Sequence, residues 1–262
     1  MTDELARFRL DDRVVLVAGG SGGIGVRLCG ALAAVGARVA IVGRSEAGLS
    51  AAAEAVEKSG SEPLVLRADV TQEAEADRVV DETVRRFGRV DVLVNAVGGG
   101  AGAVLNPAET YPERDWDWIF DLNLRSQFLV SKAAAAAMIA GGRGGRILNI
   151  SSVRGQLGIR LGYSAYVAAK GAMNALTRQH ATEWAQHGIT VNAVSPTFVR
   201  TPQVESLLAD EIFREGLVSR IPLGRIAETD DLVGAVLFFC SDASAFVTGQ
   251  VLTLDGGLTA CQ

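Results

Sequence analysis

The chain has 262 residues, of which 48% are hydrophobic and 21% charged, with 30 Gly and only 6 Pro; this composition excludes a disordered or fibrous protein and fits one large α/β domain able to bury about three quarters of its unfolded surface. The net charge of −5, with arginines scattered rather than gathered into a stripe, gives no footprint for phosphate-backbone binding and excludes nucleic acid as a partner. Three cysteines (Cys29, Cys240 and Cys261) lie far apart without metal-ligand spacing, and two histidines complete the inventory; reduced thiols and no metal site are expected.

The N-terminal segment MTDELARFRL is charged throughout and lacks the apolar core of a signal peptide. The longest apolar runs, 133–140 and 232–240, fall short of the roughly 20 residues that cross a bilayer, so a cytoplasmic protein with no membrane partner is expected. In that compartment the sequon at Asn149-Ile150-Ser151 is chance.

Short β-branched runs at 13–19, 37–43, 62–68, 90–96, 145–151, 188–194 and 249–255 alternate with amphipathic stretches. Their near-continuous apolar character predicts seven strands buried on both faces. Between them, 71–87 places Val79, Val80, Val84 and Phe87 at helical spacing opposite a charged face, and 133–137 is Ala-rich. The alternation predicts a single-domain, doubly wound Rossmann fold over 1–262: a seven-stranded parallel sheet with helices on both faces. One stretch breaks the rhythm. Residues 196–229 follow the sixth strand with a short helical pattern at 204–215 and are read as a substrate lid, the alternative being a packing loop.

The first strand runs into Ala18-Gly19-Gly20-Ser21-Gly22-Gly23-Ile24-Gly25 and then a helical segment. Gly20, Gly22 and Gly25 fit G-x-G-x-x-G in the order strand, turn, helix, where glycines admit a pyrophosphate and the helix N-terminus offers unpaired N–H groups. The turn therefore predicts dinucleotide binding. The spacing through Gly19, Gly23 and Gly25, G-x-x-x-G-x-G, resembles the short-chain dehydrogenase/reductase family, with Ala18 where that family usually has Thr.

That resemblance extends over about residues 10–258. An acid normally ends the second strand of an NAD site, but here Gly43 occupies that place and Arg44 follows. A 2′-phosphate would meet a guanidinium, which favours NADP(H); if Arg44 is only a solvated loop residue, NAD(H) serves instead. Asp69, followed by Val70, looks like the family's adenine contact or else caps a helix starting at Thr71. Asn95, Ala96 and Gly98 match or replace the family's N-N-A-G turn. Pro196, with Thr197 in place of the usual Gly, leads to Val199 and Thr201, which the resemblance assigns to the carboxamide and phosphate.

Tyr166-Val167-Ala168-Ala169-Lys170 puts a phenol and an ammonium four residues apart, on one helix face. Lowering a tyrosine from its usual value of roughly 10 to about 7 takes around 4 kcal/mol of preferential phenolate stabilisation, which the ammonium and a cationic nicotinamide are expected to supply. By resemblance Tyr166 is the acid/base, Lys170 its partner, Ser152 the residue that positions the substrate oxygen, and Asn123 the fourth catalytic residue, holding a water against Lys170. Tyr163 and Ser151 are neighbours easily mistaken for the functional pair. Segments 153–163 and 196–229 are expected to form the substrate pocket, with Arg154 and Arg160 either meeting a substrate carboxylate or simply exposed. The segment GYSAYVAAKGA is similar to sugar-acid and polyol dehydrogenases of the family. The implied activity is oxidation or reduction at a small-molecule carbonyl or alcohol, with 3-oxoacyl-thioester reduction second and a non-catalytic NADP-binding sensor as the reading from another class. Leu254-Asp255-Gly256-Gly257 resembles the family's closing turn and implies a homotetramer, or a dimer.

Overall fold

Apolar runs too short for helices and flanked by turn residues are strands here. The protein, seen as a computed structural model, is described for residues 4–160 and 162–261; positions 1–3 of the charged N-terminal segment, Leu161 and Gln262 lie outside the described residues. The strands are Val14–Ala18 (β1), Arg38–Gly43 (β2), Leu64–Arg67 (β3), Val92–Asn95 (β4), Gly145–Ile150 (β5), Ile189–Pro196 (β6) and Val251–Leu254 (β7). Among the described residues they form one seven-stranded parallel sheet in the order β3-β2-β1-β4-β5-β6-β7.

The predicted runs overshoot most strands by one or two residues at an end. β6 is the exception. It continues to Pro196, which pairs with Leu254 of β7.

The helices are Gly23–Ala34 (α1), Glu46–Glu57 (α2), Glu73–Phe87 (α3), Glu113–Phe120 (α4), Ser126–Gly141 (α5), Ser164–Trp184 (α6), Glu205–Leu208 (α7), Glu211–Val218 (α8) and Asp230–Cys240 (α9). On one face of the sheet, Leu28 and Leu32 of α1, Val56 of α2 and Phe239 of α9 pack in one buried cluster with Val15, Val17 and Ile41. On the other, Val79 and Val80 of α3, Val130 and Met138 of α5, and Ala181 of α6 pack with Leu16, Leu93 and Ile147. Successive strand residues alternate between the two faces, so both stripes of each strand are consumed. No helix among the described residues is long and apolar enough to cross a membrane.

Two local departures have physical causes. Thr71 does not start α3: the Asp69 carboxylate accepts both its N–H (3.2 Å) and its hydroxyl (2.9 Å), a side-chain turn that delays the helix to Glu73. The single helical pattern at 204–215 splits into α7 and α8 because extended Asp210 caps the second by accepting the Phe213 N–H at 3.1 Å. Between β6 and α9, Leu208, Leu217, Ile221 and Ile226 form a separate small core.

Leu93 is fully buried at the sheet centre. Leu93→Ala is expected to cost about 2–5 kcal/mol through lost transfer energy and the cavity left behind, read as a fall in the denaturant midpoint; an unchanged midpoint would mean that this stretch of β4 is not core.

Candidate active site at the β1/β4 reversal

β1 lies between β2 and β4, and the chain leaves the neighbouring β1 and β4 in opposite directions across the sheet. A crevice therefore opens beyond their carboxyl ends, where open α/β sheets bind ligands. Ala18 pairs with Asn95 at the last rung, so the glycine turn after β1 and the 96–100 loop after β4 form its two lips. Gly19 sits at φ +83, and a Cβ there would lie 2.6 Å from the Val97 nitrogen. Only glycine meets both demands. A Cβ at Gly25 would lie 2.7 Å from Gly20 Cα, and one at Gly23 2.8 Å from Thr201 Cβ. Gly23 and Gly25 thus act through close packing, whereas Gly19, Ser21 and Gly22 line the crevice and Ile24 lines its continuation. Gly22 precedes α1 without a side-chain cap, leaving first-turn N–H groups directed at the crevice.

At the outer end, Arg44, Asp69 and Val70 line the crevice. Arg44 Nη1 lies 3.7 Å from Asp69 Oδ2, in an exposed pair. Asp69 lines the crevice, and its carboxylate organises the turn before α3 rather than capping that helix. Gly43 has a specific neighbour, because a Cβ at that position would lie 2.6 Å from Ser21 Cβ. The position at which an NAD site carries its acid is closed by the Ser21 side chain.

Ser151 and Ser152 end the β5 segment, and extended backbone sends them in opposite directions. Ser151 Oγ donates to Asn174 Oδ1 (2.6 Å) in α6. Ser152 Oγ accepts the Arg154 N–H (3.2 Å) and caps a short 3₁₀ turn, Val153–Gly155. Lys170, buried in α6, donates from Nζ to the Ile150 carbonyl (3.0 Å), and its ammonium lies 5.7 Å from the centre of the Tyr166 ring. Ser152, Tyr166 and Lys170 thus share one cleft wall with Ala96, Gly98, Pro196, Val199 and Thr201. Ala96 and Gly98 also border the outer crevice, so the two clefts are continuous.

Two expected site residues stand elsewhere. Asn95 does not reach the cleft: its amide donates to Ser131 Oγ (2.8 Å) and Asn149 Oδ1 (2.9 Å), and Asn149 in turn donates to Thr177 (3.0 Å). This buried polar ladder ties β4 to β5 and α6. Asn123 lies in a single π-helical turn, Asp121–Arg125, between α4 and α5. Its amide donates to the Gly99 and Ile119 carbonyls (2.9 and 3.0 Å) and its oxygen accepts the Gly99 N–H (2.8 Å). Both amide hydrogens are thereby committed, and the side chain holds the 96–100 loop. A Cβ at Gly98 would lie 3.0 Å from Asn123 Oδ1 and 3.1 Å from Lys170 Nζ, so the two groups flank Gly98.

The model of a family described as enoyl-(acyl carrier protein) reductase matches residues 18–259. Over 255 residues the chain is 40% identical to gluconate 5-dehydrogenase of Gluconobacter oxydans, covering 96% of each protein. The chain belongs to the short-chain dehydrogenase/reductase family. It is also 37% identical to 2-dehydro-3-deoxy-D-gluconate 5-dehydrogenase of Escherichia coli, covering 98% of this chain and 99% of that one. The solved gluconate 5-dehydrogenase of Burkholderia cenocepacia, crystallised with NADP and tartrate, superposes with a TM-score of 0.90 at 36% identity, covering 98% of this chain and 99% of that one. As a short-chain dehydrogenase/reductase the protein is an oxidoreductase that uses a nicotinamide cofactor.

The electrostatics of this dehydrogenase/reductase cleft correct one expectation. Burial pushes Tyr166 above the ordinary tyrosine value; its hydrogen bond with Ser152 and the positive charge of Arg154 oppose this without overcoming it, and Tyr163 adds to the rise. The protein's own groups therefore do not make the phenol acidic. Burial also brings Lys170 down to about 8. Of the two readings of Arg154, simple exposure does not hold, since it is 7% exposed and part of the cleft wall, whereas Arg160 is exposed and outside it. Gln203 and Leu207 line the cleft from within the 196–229 segment expected to form the pocket, whereas sequence reasoning did not single out Gly99 and Gly100 as cleft residues. Gly99 at φ +115 and Gly100 at φ +75 are visible in retrospect as a glycine run that only a tightly folded loop requires.

Lys170 also makes stability depend on pH. Below pH 8 both folded and unfolded chains carry the ammonium, and its desolvation acts in full; between 8 and 10.5 the folded chain gives up the proton first, so stability rises with pH. Relative to Lys170→Met, the wild type is expected to gain about 3 kcal/mol across that window, read from denaturant midpoints at a series of pH values. A pH-independent difference between the two proteins would contradict a desolvated ammonium.

Proposed function

We propose that the protein is a cytoplasmic NADP(H)-dependent dehydrogenase/reductase, one catalytic and dinucleotide-binding domain spanning the chain, which interconverts a secondary alcohol and a ketone on a sugar acid or similar polyhydroxy acid. The observation that carries this reading is the convergence of Ser152, Tyr166 and Lys170 on the wall of a cleft that opens into the glycine turn. The names of the relatives and the NADP held by the Burkholderia enzyme support the same assignment.

The residues present fit a dinucleotide. Gly19, Ser21 and Gly22 line the crevice at the start of α1, which has no side-chain cap, and Thr197 Oγ1, buried on the cleft wall, lacks a partner among the described residues. Arg44 beside Ser21, with the acid position at Gly43 closed, favours a 2′-phosphate over a bare ribose hydroxyl.

A bound nicotinamide would supply the centre that accepts or gives the hydride. In oxidation, the Tyr166 oxygen takes the alcohol proton while the Ser152 hydroxyl holds the same substrate oxygen. For this the phenol proton must leave first: Lys170, fixed by the Ile150 carbonyl, releases one of its own protons outward past Gly98, where the Asn123 oxygen stands, as it takes up the one from Tyr166, so that its charge is restored and the phenolate is free to receive the alcohol proton. Asn123 is thus a positioning residue, holding the loop on which that exit depends. Reduction runs the same transfers in reverse. Because burial keeps the phenol protonated, it is suited as an acid, and it becomes a base when a neighbouring positive charge stabilises the phenolate. The closing turn Leu254-Asp255-Gly256-Gly257, similar to that of the family, supports association into a homotetramer or a dimer.

Tyr166→Phe is expected to lower kcat roughly 10³-fold with NADP binding, followed by nucleotide fluorescence, within a few-fold of wild type; near-normal turnover would refute the assignment. Arg44→Ala is expected to raise the KM for NADP by about 10- to 100-fold and to affect NAD far less. Equal effects on both cofactors would remove the 2′-phosphate role.

A further inference from the structure

Among the described residues, the cleft at Tyr166 is lined by two cations, Arg154 and Lys170, and by no aspartate or glutamate, although the chain as a whole carries a net charge of −5. Lys170 has the Ile150 carbonyl. Arg154 is held differently. Its backbone N–H bonds to Ser152 Oγ, which pins the 3₁₀ turn to the end of β5, and the residue is 7% exposed.

A guanidinium so far removed from water ordinarily has a carboxylate beside it, because the desolvation is otherwise uncompensated. Arg89 and Arg146, also largely shielded, follow that rule by pairing with Asp91 and with Asp242. Arg154 does not. Among the described residues it forms no ion pair, and its side chain makes one long hydrogen bond, from Nη1 to the Gly158 carbonyl at 3.4 Å. The charged group that bears on it is a second cation, Arg220, while the phenols of Tyr163 and Tyr166 complete its titratable surroundings. The fold therefore holds a desolvated planar donor next to the reacting groups and leaves its acceptor to be brought in.

We propose that Arg154 is the carboxylate anchor of the substrate site: its guanidinium pairs with the carboxylate of a hydroxy or oxo acid whose reacting carbon lies against Tyr166 and Ser152. The proposal rests on the polyhydroxy-acid reading above and refines it, because it gives the acid group a partner and so sets which end of the molecule faces Tyr166. A guanidinium suits this task, since its fork matches both carboxylate oxygens and fixes direction as well as affinity.

The test compares D-gluconate with D-glucitol, the same carbon chain with a neutral CH₂OH in place of the carboxylate, on the full-length NADP-loaded protein and its Arg154→Gln and Arg154→Lys variants. Arg154→Gln is expected to lower kcat/KM on gluconate by about 100-fold, through KM, and at least ten times more than on glucitol. Arg154→Lys, which keeps the charge but loses the fork, should recover part of the loss, and circular dichroism checks that both variants fold. Gluconate is also expected to raise the melting temperature of the wild-type NADP complex and not that of Arg154→Gln.

Equal losses on both substrates, with a displaced pH profile, would overturn the anchor and leave Arg154 acting only on Tyr166. If the wild type turns over gluconate and Arg154→Gln does so with the same KM, the anchor fails while the reaction assignment stands. Gluconate that stabilises the wild type alone but is never oxidised supports the anchor and refutes the reaction. If gluconate neither binds nor reacts with the wild type, both fall.

Discussion

Two neighbouring parallel strands that send their connections to opposite faces of one sheet cannot close the space beyond their ends, and the site depends on that constraint. β1 and β4 are those strands. Because all seven strands run the same way, every carboxyl end opens on the same edge. β1 delivers the glycine turn there, β4 the 96–100 loop, β5 Ser152 and Arg154, and β6 the segment from Pro196 to Thr201, while α6 crosses behind with Tyr166 and Lys170. No single element contains the site. The two apolar faces, consumed by helices on either side, hold these ends in register.

The same topology explains the sign of the electrostatics. Tyr166, Lys170 and Arg154 each shift in the direction that burial alone dictates, against their charged forms. For Tyr166, Ser152 and Arg154 moderate the shift without reversing it, whereas Arg220 adds to that of Arg154. The cleft thus assembles one acid and two cations at a cost in solvation and, in our proposal, is completed by groups of opposite preference: a positive ring beside the phenol and a carboxylate beside Arg154. Charge that arrives with the ligands stabilises what the fold has desolvated, so binding and activation become one event.

Much of this was legible in the amino-acid order. Strands buried on both faces read as unbroken apolar runs, and the glycine turn announces itself because strand, turn and helix follow without interruption. Tyr166 and Lys170 are spaced by the helix itself. The choice of Ser152 over Ser151 came from resemblance, yet its physical reason is the alternation of an extended strand, which sends one serine into α6 and the other to the cleft. What stayed hidden depends on contacts made far along the chain. An arginine in a polar loop leaves solvent and a ligand carboxylate both open, and the burial of Arg154 by a 3₁₀ turn and by the cleft walls is visible only in the fold. Asn95 sits beside the cleft in sequence and is turned inward by Ser131 and Asn149, from two other elements. Periodicity encodes which stripe of an element meets the sheet, and says nothing about what a long connection covers.

The claim on which this account turns is that the protein alone holds the Tyr166 phenol protonated and that a cationic nicotinamide releases it. With three tyrosines in the chain, ultraviolet difference titration of tyrosinate, with and without saturating NADP⁺, in wild type and Tyr166→Phe, reads this directly. The account predicts one tyrosine whose ionisation moves to lower pH when NADP⁺ binds, and the absence of that component in the variant. A titration curve that NADP⁺ leaves in place, or one that moves equally in both proteins, would contradict it.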